Sequence, residues 1–592
     1  MSRQLKISKS ELKVPNIVDD IEKGNIVLPD FQRDFVWKTT DTAKLLESML
    51  NGYYINTILT LPVAIGSRGP PFPIRYVEGV STPPNLPFDI QMILDGQQRL
   101  TSIYYALVAP EISLSNTVYP QIFCLSFQKA VEGELDEDSV HWRRADWESS
   151  QRLVQNDYKL QLEEDLIPFT IFKDLDSFRN WRRGIETFST TSELVTISDI
   201  NAFEDHTETF RNYSIPVIQM AADTPEDKVV QTFERINTQG LDLDVFDILT
   251  ARLWIKNIKL RELWEVSLHH YQHMKNYSTE FSESGLRTIM LKTLALYRDG
   301  ECKEKNLREL SHEHFEADWD TTSQIVSRAI ERSISSAVGG FGVTVKFGFP
   351  YTSLLPTLAN LLYLAEQTSS YPRRDALEKI QTWYWISIFS RRYSSSSDSM
   401  LLRDLREVKT WMIKSSNTLP DAIQRAPQTI PAEVELDRIT RGGLYTGVMC
   451  LLILNQIRDF NTFEGVSLHD IDDHHIFPKA KLKEGINGEK IEDRIRQDTI
   501  LNRTIIEKGN NRFKIKDNLP GTYIRDMIDE HDEGELGVRE LLKAHFINEQ
   551  AFEALLENEY QVFCDTRKEM IQEEISRRTG IQIDWSKQSE FY

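Results

Sequence analysis

A strand, a tight turn and a helix follow one another in the segment FDIQMILDGQQRLTSIYYALVA, residues 88–109. Its apolar first part predicts a buried strand, the Asp95-Gly96 pair predicts the turn, and the apolar residues beyond it recur at helical spacing. A second strand is predicted for YSIPVIQM, residues 213–220, with a new helix starting near Thr224. Strands and helices mixed in this way predict an α+β domain in the N-terminal part of the chain.

The 592-residue chain divides into three regions that differ in the spacing of their apolar residues. Residues 1–250 mix strands and helices, whereas residues 251–430 are mostly helical. Residues 431–592 contain a strongly apolar helix, two short strand-like segments and a long amphipathic helix over 549–578. Because a chain of this length exceeds what a single core supports, we predict three domains with these boundaries.

The composition restricts the class of protein. The chain has 40% hydrophobic and 27% charged residues, which is typical of globular proteins, and the spacing of its 4 cysteines favours a reducing compartment. The most apolar stretch, GLYTGVMCLLILNQI, is shorter than the roughly 20 residues that a bilayer requires. We therefore expect a cytoplasmic protein without a membrane partner.

The net charge of −21 argues against indiscriminate coating of DNA, because phosphate contacts require Lys and Arg. A local exception lies between Lys479 and Lys516, where eleven Lys and Arg residues stand against six Asp and Glu residues. This segment is either a solvated face or a local surface for nucleic acid.

Two adjacent histidines carry the clearest chemical signal. The segment DDHHIFPK, residues 472–479, precedes Asn502 in a second strand-like segment and Asn511 at the start of a predicted helix. This is the order of a ββα-metal finger, the HNH nuclease motif. In this interpretation His475 is the general base, with a pKa useful near neutral pH, and Asn502 fixes the loop and orients His475. His474 and Asn511 then bind one divalent cation.

Several alternatives remain open at this site. Asn510 competes with Asn511 as a ligand, and Asp472 or Asp473 can replace or supplement His474. The histidine pair is also compatible with a purely structural role, and Asn510 with an ordinary helix cap.

Polar residues that suit phosphate binding cluster in LPDFQRDFVW and ILDGQQRL, with further candidates in FERINTQGLDLDVFD. The candidates are Gln32, Arg33, Asp95, Gly96, Gln97, Gln98, Arg99, Arg235 and Asn237. The turn of ILDGQQRL delivers side chains to a helix N-terminus, whose free N–H groups favour an anion. Arg99 can clamp a phosphate there, and Asp95 can hold a cation or a water. The alternative is that Asp95 caps the helix and that the residues after Gly96 form its exposed first turn.

Taken together, these motifs resemble a known family. LPDFQRDFVW, LDGQQRLTS and FERINTQGLDLDVFD resemble the ParB-like N-terminal domain of GmrSD-type restriction proteins, and DDHHIFPK, NRTIIEKGNNR and LPGTYI resemble their HNH-like C-terminal domain. The resemblance implies a ParB/sulfiredoxin-like N-terminal domain, a mostly helical middle and a C-terminal ββα-metal (HNH) nuclease domain embedded in helices. The chain departs from the pattern at Arg503, where relatives tend to be apolar, and in its register after Asn511.

The resemblance also implies activities. Relatives act in modification-dependent restriction, on glucosylated hydroxymethylcytosine or through sensing of phosphorothioate DNA, and couple it to nucleotide hydrolysis. The DGQQR motif is linked there to NTP binding and hydrolysis, which carries that role onto Asp95, Gln97, Gln98 and Arg99, with Gln32 and Arg33 beside them. The nuclease roles are carried onto His474, His475, Asn502 and Asn511.

We therefore predict an NTP-regulated, divalent-metal-dependent DNA endonuclease of antiphage defence, type IV-like and responsive to DNA modification. The expected cofactors are Mg²⁺ or Mn²⁺ and an NTP, whether GTP, UTP or ATP. The expected partner is modified phage or foreign DNA, and the apolar faces of the long helices are compatible with a homo-oligomer. The alternatives are a nucleotide-gated sensor of DNA modification and an NTPase, each with an inactive nuclease fold.

Overall fold

The fold is known from a computed structural model of the chain. It describes residues 7–32, 34–64, 70, 72–80, 87–114, 117–237, 244–367, 372–395, 398–413, 419–510, 515 and 517–586. Two candidate site residues, Arg33 and Asn511, lie outside the described residues, as do the side chains of Asn237 and Asn510.

The chain divides into two compact units, 1–257 and 258–592. The first unit ends seven residues beyond the predicted position 250, and the predicted N-terminal domain stays a prediction in its bounds. A further division of the second unit near residue 430 stays a prediction. The described parts of both units combine helices with small sheets, which confirms the α+β class.

The first unit contains nine described strands. They are β1 (Ile7–Lys13), β2 (Ile26–Pro29), β3 (Ile58–Ala64), β4 (Ile74–Arg75), β5 (Asp89–Asp95), β6 (Gln121–Leu125), β7 (Val140–Arg144), β8 (Ile167–Pro168) and β9 (Ser214–Met220). The described helices of this unit are α1 (Val14–Glu22), α2 (Thr39–Leu50), α3 (Gln97–Val108), α4 (Phe127–Glu132), α5 (Glu148–Val154), α6 (Tyr158–Glu163), α7 (Leu175–Ser189), α8 (Ile197–His206), α9 (Glu208–Arg211), α10 (Glu226–Asn237) and α11 (Val245–Trp254). The predicted strands β5 and β9 and the predicted helices α3 and α10 are all present.

A six-stranded mixed sheet in the order β1-β9-β3-β5-β2-β4 forms the centre of this unit. Strand β5 pairs in parallel with β2 and antiparallel with β3. Successive side chains of β5 point to opposite faces, so Ile93 packs with the core that includes α1 and α3, whereas Met92 and Leu94 pack with α10 and α11. Burial on both faces explains why Met92, Ile93 and Leu94 are apolar in succession. A second sheet has the order β7-β6-β8.

The second unit is mostly helical among its described residues. Its helices are α12 (Leu260–His270), α13 (Gln272–Glu280), α14 (Glu283–Tyr297), α15 (Glu304–Arg308), α16 (Phe315–Ile334), α17 (Leu355–Gln367), α18 (Arg373–Phe389), α19 (Asp398–Ile413), α20 (Asp421–Glu433), α21 (Gly443–Leu454), α22 (Lys479–Glu484), α23 (Arg494–Asp498), α24 (Lys508–Asn510), α25 (Pro520–Glu530), α26 (Gly534–Lys543), α27 (Glu549–Leu556) and α28 (Tyr560–Thr579). The strands β10 (Ile471–His475) and β11 (Arg503–Glu507) form a two-stranded sheet.

The apolar stretch near residue 450 is the buried helix α21, as predicted. In the described parts of the chain, no helix is both long enough and apolar enough to cross a membrane. The single long helix predicted over 549–578 is wrong, because the chain breaks between α27 and α28. Asn558 adopts a positive φ of 58° at the break, and its side chain accepts a hydrogen bond from the N–H of Gly521 at 2.8 Å. A left-handed residue ends a helix, and the contact with Gly521 holds the turn in place.

Candidate active site

The two histidines lie on β10, and Asn502 lies just before its partner strand β11. Asn502 is not in the second strand, where it was predicted, but ends a short 3-10 turn, Ile500–Asn502. The strands are antiparallel, with His474 opposite Thr504 and His475 opposite Arg503. The short helix α24 follows β11 directly. The chain therefore has the strand–strand–helix order that the motif predicts, although the part of the helix that would carry Asn511 lies outside the described residues.

Strand alternation separates the side chains of the two histidines. His474 is 2% exposed, and its ring lies 6.2 Å, centre to centre, from the rings of both Phe460 and Tyr523. His475 lies on the other face and is only partly buried. Asp473, two residues before it, is on the face of His475. The structure thus brings the alternative ligand Asp473, rather than His474, to the side of the predicted base, and the metal-binding role of His474 stays a prediction.

His475 is held by a carboxylate that the sequence analysis missed. Its Nε2 lies 2.9 Å from Oδ1 of Asp498. Asp498 also accepts hydrogen bonds from Lys479, at 2.8 Å, and from Arg503. Burial alone would raise the pKa of Asp498, but these three donors lower it strongly, so the group stays ionised. A neutral imidazole must then donate its Nε2–H to Asp498, which leaves the lone pair on Nδ1.

The pKa of His475 is lower than its residue type suggests. Burial and the neighbouring Arg503 guanidinium lower it to about 4, against the smaller opposing effect of Asp498. The expectation of a pKa near neutrality is therefore wrong, because a cation and a poorly solvated position both disfavour the imidazolium. The ring is neutral at physiological pH, which is the form that can accept a proton.

Asp473 provides an oxygen that can serve a cation. Its Oδ2 accepts a hydrogen bond from the hydroxyl of Tyr445 and forms an ion pair with Nη1 of Arg503 at 3.0 Å. Its Oδ1 is buried and receives no hydrogen bond from any described residue. Burial raises the pKa of this carboxyl despite the contact with Arg503. A buried acceptor without a donor is costly and is normally satisfied by some group.

The residues fit a divalent cation at this point, because Mg²⁺ is commonly held by one or two carboxylates and otherwise keeps its waters. Asp472 lies next to Asp473 in β10, and its Oδ1 is 3.2 Å from Nζ of Lys346. Within the part of the chain that the structure describes, no three His, Cys, Asp or Glu side chains lie close enough to share a metal. A larger protein-made ligand set would need Asn511, which is outside that part.

Asn502 fastens the segment that follows His475. It is fully buried, and its Nδ2 donates to the carbonyl oxygens of Phe477, at 2.9 Å, and Gln497, at 3.0 Å. Its Oδ1 accepts the N–H of Phe477 at 2.8 Å, and its own carbonyl accepts the N–H of Ile476 at 3.0 Å. These contacts fix the chain that follows His475, and the role of Asn502 in orienting the His475 ring stays a prediction.

A buried arginine supports Asn502 from the C-terminal helix. Arg567 on α28 is 0% exposed and donates to the carbonyl oxygens of Leu501, at 2.7 Å, and Ile500, at 3.3 Å. It also donates to the carbonyl of His545, at 3.2 and 3.1 Å. The turn that carries Asn502 is therefore held from both sides, and nothing in the local sequence around Arg567 indicates this.

The DGQQR motif of the first unit spans the end of β5 and the start of α3. Gly96 joins them with a φ of 99°, and a Cβ at this position would lie 2.9 Å from Cγ1 of Ile58, so the turn requires glycine. Arg99 donates from Nη2 to Oδ2 of Asp95 at 3.1 Å and from Nη1 to the carbonyl of Ile55 at 2.8 Å. The N-cap position of α3 is Gly96, so Asp95 lies one residue before the cap, and its side chain forms an ion pair with Arg99.

The two N-terminal motifs lie against each other. Gln98 accepts the N–H of Val36 at 2.8 Å and donates to the carbonyl of Asp34 at 3.1 Å. Gln32 is 3% exposed and donates to the carbonyl oxygens of Ile93, at 2.7 Å, and Leu94, at 2.9 Å. Each glutamine thus binds the main chain of the other motif.

Gln97 is 6% exposed, so it does not belong to an exposed first turn. Arg235 is exposed in the last turn of α10. A role for either residue in nucleotide binding stays a prediction, as it does for Arg33 and for the side chain of Asn237, which lie outside the described residues.

Arg75 and Glu78 were missed by the sequence analysis and join the N-terminal motifs. Glu78 Oε1 accepts the N–H of Phe35 at 3.2 Å and Nη1 of Arg75 at 3.0 Å, and its Oε2 accepts the hydroxyl of Thr101 at 3.3 Å. Arg75 Nη1 also lies 3.9 Å from Oδ1 of Asp34. The local sequence indicates this pair only through the opposite charges of Arg75 and Glu78, three residues apart in IRYVEG.

Comparison with known proteins identifies the family of the chain. The family model described as "GmrSD restriction endonuclease, N-terminal domain" matches residues 14–254. An uncharacterized protein of Methanocaldococcus jannaschii is 30% identical over 600 residues, an alignment that covers 95% of this chain and 98% of the relative. The similarity therefore includes both the DGQQR motif and the segment with the paired histidines. The chain belongs to the GmrSD restriction endonuclease family, and this membership implies nuclease activity in defence and binding of DNA.

Proposed function

We propose that the chain is an NTP-regulated, divalent-metal-dependent DNA endonuclease, type IV-like and responsive to DNA modification, with its nuclease centre at the β10–β11 sheet. The observation that carries this proposal is the hydrogen bond between His475 Nε2 and Asp498 at 2.9 Å. It leaves a lone pair on Nδ1 of a neutral ring, on the same face of β10 as a carboxylate oxygen of Asp473 that has no donor among the described residues.

In the proposed mechanism, His475 takes a proton from a water at Nδ1 as that water attacks a phosphodiester. Asp498 orients the ring and stabilises the imidazolium that forms. Arg503 and Lys479, which both contact Asp498, add positive charge close to the position of the phosphate. Asn502 keeps the chain after His475 in place. By analogy with HNH nucleases, the products carry a 5′-phosphate and a 3′-hydroxyl.

Asp473 would hold the divalent cation, with Asn510 and Asn511 as further candidate ligands. His474 and Asp472 lie on the opposite face of β10 by strand alternation and would have to bind a cation there. When bound, Mg²⁺ or Mn²⁺ supplies charge stabilisation to the phosphate and to the leaving oxygen.

Cleavage assays with plasmid and phage DNA test the metal dependence. We expect cutting with Mg²⁺ or Mn²⁺ and none with EDTA, and we expect Asp473→Asn to lower the initial rate at least roughly tenfold, as disturbance of a metal site does. The matched control is Asp470→Asn, which removes the same charge from an exposed position just before β10. Substrates would include unmodified DNA, DNA with glucosylated hydroxymethylcytosine and phosphorothioate DNA. Cutting that persists in EDTA would refute the proposed chemistry.

For the DGQQR motif we propose a nucleotide site. The N-terminus of α3, with its helix dipole, and the Arg99 guanidinium suit a phosphate, and Asp95 suits a cation or a water that accompanies it. Arg99 is already held by Asp95 and by the carbonyl of Ile55, so its guanidinium is fixed before a nucleotide arrives. Preorganisation of this kind lowers the entropic cost of binding.

Replacing Asp95 with asparagine is expected to lower NTP hydrolysis roughly 100-fold or more, because a group that positions the reacting water is lost together with the partner of Arg99. Phosphate release would be measured with GTP, UTP and ATP, alongside the melting temperature. Asp89→Asn, at the exposed opposite end of β5, is the control. NTP should modulate DNA cleavage only where Asp95 is intact. Unchanged hydrolysis in Asp95→Asn would remove this site from the proposal.

One observation favours a second function. The burial of His474 among aromatic rings takes away a predicted ligand, and an incomplete metal site is what an inactive nuclease fold would have. The chain would then be a nucleotide-gated sensor of DNA modification, or an NTPase, that binds DNA without cutting it. Hydrolysis of NTP without cleavage of any DNA substrate would support this alternative.

A further inference from the structure

A cavity of about 350 Å³ in the second unit lies between the end of α16, α17 and the start of α18. Three arginines line it, Arg328, Arg332 and Arg373, against two glutamates, Glu331 and Glu366. Leucine and tyrosine side chains form much of the remaining wall. The cavity is thus locally positive in a chain whose net charge is −21.

Two of the arginines share one acid. Arg328 forms an ion pair with Oε2 of Glu366, and Nη2 of Arg373 lies 3.1 Å from its Oε1. A carboxylate offers few lone pairs for two planar guanidiniums with five N–H donors each. Donors of Arg328 and Arg373 therefore remain for another acceptor in the cavity.

The third arginine is less well compensated. The Nε of Arg332 is buried and has no hydrogen-bond partner among the described residues. Burial lowers the pKa of Arg332, the positive charge of Arg373 lowers it further, and Glu366 opposes this only in part. A buried guanidinium N–H without an acceptor is destabilising, and an anion would supply the missing acceptor and charge.

A glycine turn forms the wall next to Arg332. Gly339 has a φ of 90°, and a Cβ there would lie 2.8 Å from Nη2 of Arg332. The turn is fixed by main-chain hydrogen bonds from Phe341 to Arg332, at 3.2 Å, and from Gly342 to Ser335, at 3.0 Å. The absence of a side chain at Gly339 lets the main chain approach the guanidinium of Arg332, which lines the cavity.

We propose that this cavity binds a small phosphate ester of mononucleotide size. Guanidiniums bind phosphate oxygens through paired, charge-assisted hydrogen bonds, and three of them converge here. Leu362, Leu377 and Tyr363 give the organic part of the ligand an apolar surface. The volume lies near the lower end of the range, about 300–1,000 Å³, of pockets that hold small molecules. This site is separate from the DGQQR motif and from the nuclease centre, and it does not rest on either proposed activity.

Isothermal titration calorimetry on the full chain tests the proposal, with inorganic phosphate, AMP and GMP as probes and adenosine and guanosine as uncharged controls. We expect the phosphates to bind and the nucleosides not to bind. Arg332→Gln should weaken binding at least tenfold, and so should Arg373→Gln, whose side chain is 64% exposed and therefore dispensable for folding. The matched control is Arg374→Gln, because Arg374 is 88% exposed, pairs only with Glu378 among the described residues and does not line the cavity.

Arg99→Gln alters the DGQQR motif and therefore removes only the phosphate or nucleotide binding that belongs to that motif. The binding that is lost in Arg332→Gln and Arg373→Gln should remain in Arg99→Gln. The proposal is overturned if wild type binds none of the phosphates, or if Arg99→Gln abolishes all binding while Arg332→Gln and Arg373→Gln bind as wild type does. Loss of DNA cleavage or of NTP hydrolysis in other variants leaves this result unaffected, so the proposals fail separately.

Discussion

Replacing His475 with alanine is expected to lower the rate of DNA cleavage by roughly 10²–10⁴-fold, the contribution of a general base. The imidazole is neutral and hydrogen-bonded to an ionised Asp498, and it is the group on this face of β10 that can accept a proton from water. Alanine also leaves Asp498 paired with Lys479 and Arg503, so the fold should persist. Initial rates of plasmid cleavage at saturating Mg²⁺ measure the effect.

The control is His469→Ala, since His469 is exposed in the turn just before β10. It should cleave at the rate of wild type. Circular dichroism and the melting temperature establish that His475→Ala is folded. If folded His475→Ala cut DNA as fast as wild type, His475 would not be the base and the nuclease mechanism would have to be abandoned. Binding of modified DNA by His475→Ala, without cutting, would in contrast agree with the mechanism.

The local pattern of apolar residues and glycines was sufficient to predict the strands and helices that carry both candidate sites. The strand, turn and helix around Asp95-Gly96 follow from apolar periodicity and from the conformational freedom of glycine, and the structure has all three. The same holds for β10, for β11 and for the buried helix α21. These features depend on residues close together in the chain, which a sequence displays directly.

The partners of the site residues could not be predicted in this way. Gln32 bonds to main chain 61 and 62 residues away, and Asn502 is fixed by contacts to Phe477, 25 residues before it. Such pairs are set by tertiary packing and leave no periodic trace. The break between α27 and α28 was missed for a related reason, because Asn558 is held by Gly521 from a distant helix.

The separation of His474 from His475 follows from the sequence alone. Adjacent residues of a strand point to opposite faces, so a strand through DDHHIFPK already implies that the two histidines do not share one surface. The same alternation places Asp473 with His475, as the contacts of both with the Arg503–Asp498 pair bear out. Arg503, a departure from the family pattern, becomes intelligible as the cation that joins these two acids.

The second large effect is expected for Asn502→Ala, which should lower the free energy of unfolding by about 3–5 kcal/mol. The substitution leaves the N–H and carbonyl of Phe477 and the carbonyl of Gln497 without their buried partners, and each such loss costs about 1–3 kcal/mol. Chemical denaturation followed by tryptophan fluorescence measures the change. Cleavage should fall as well, because the chain after His475 is released.

A matched control exists in Asn276, which is exposed on α13 and accepts a hydrogen bond from the side chain of Gln272 at 2.6 Å. Asn276→Ala should change stability by less than about 1 kcal/mol, as surface substitutions do. Asn502→Asp distinguishes the effect of side-chain volume from that of the hydrogen bonds. It preserves the volume but replaces the donor Nδ2 with a carboxylate oxygen, which faces the carbonyl oxygens of Phe477 and Gln497. If Asn502→Asp were as stable as wild type, the amide donors would not hold this turn, and the orientation of His475 would have to come from Asp498 alone.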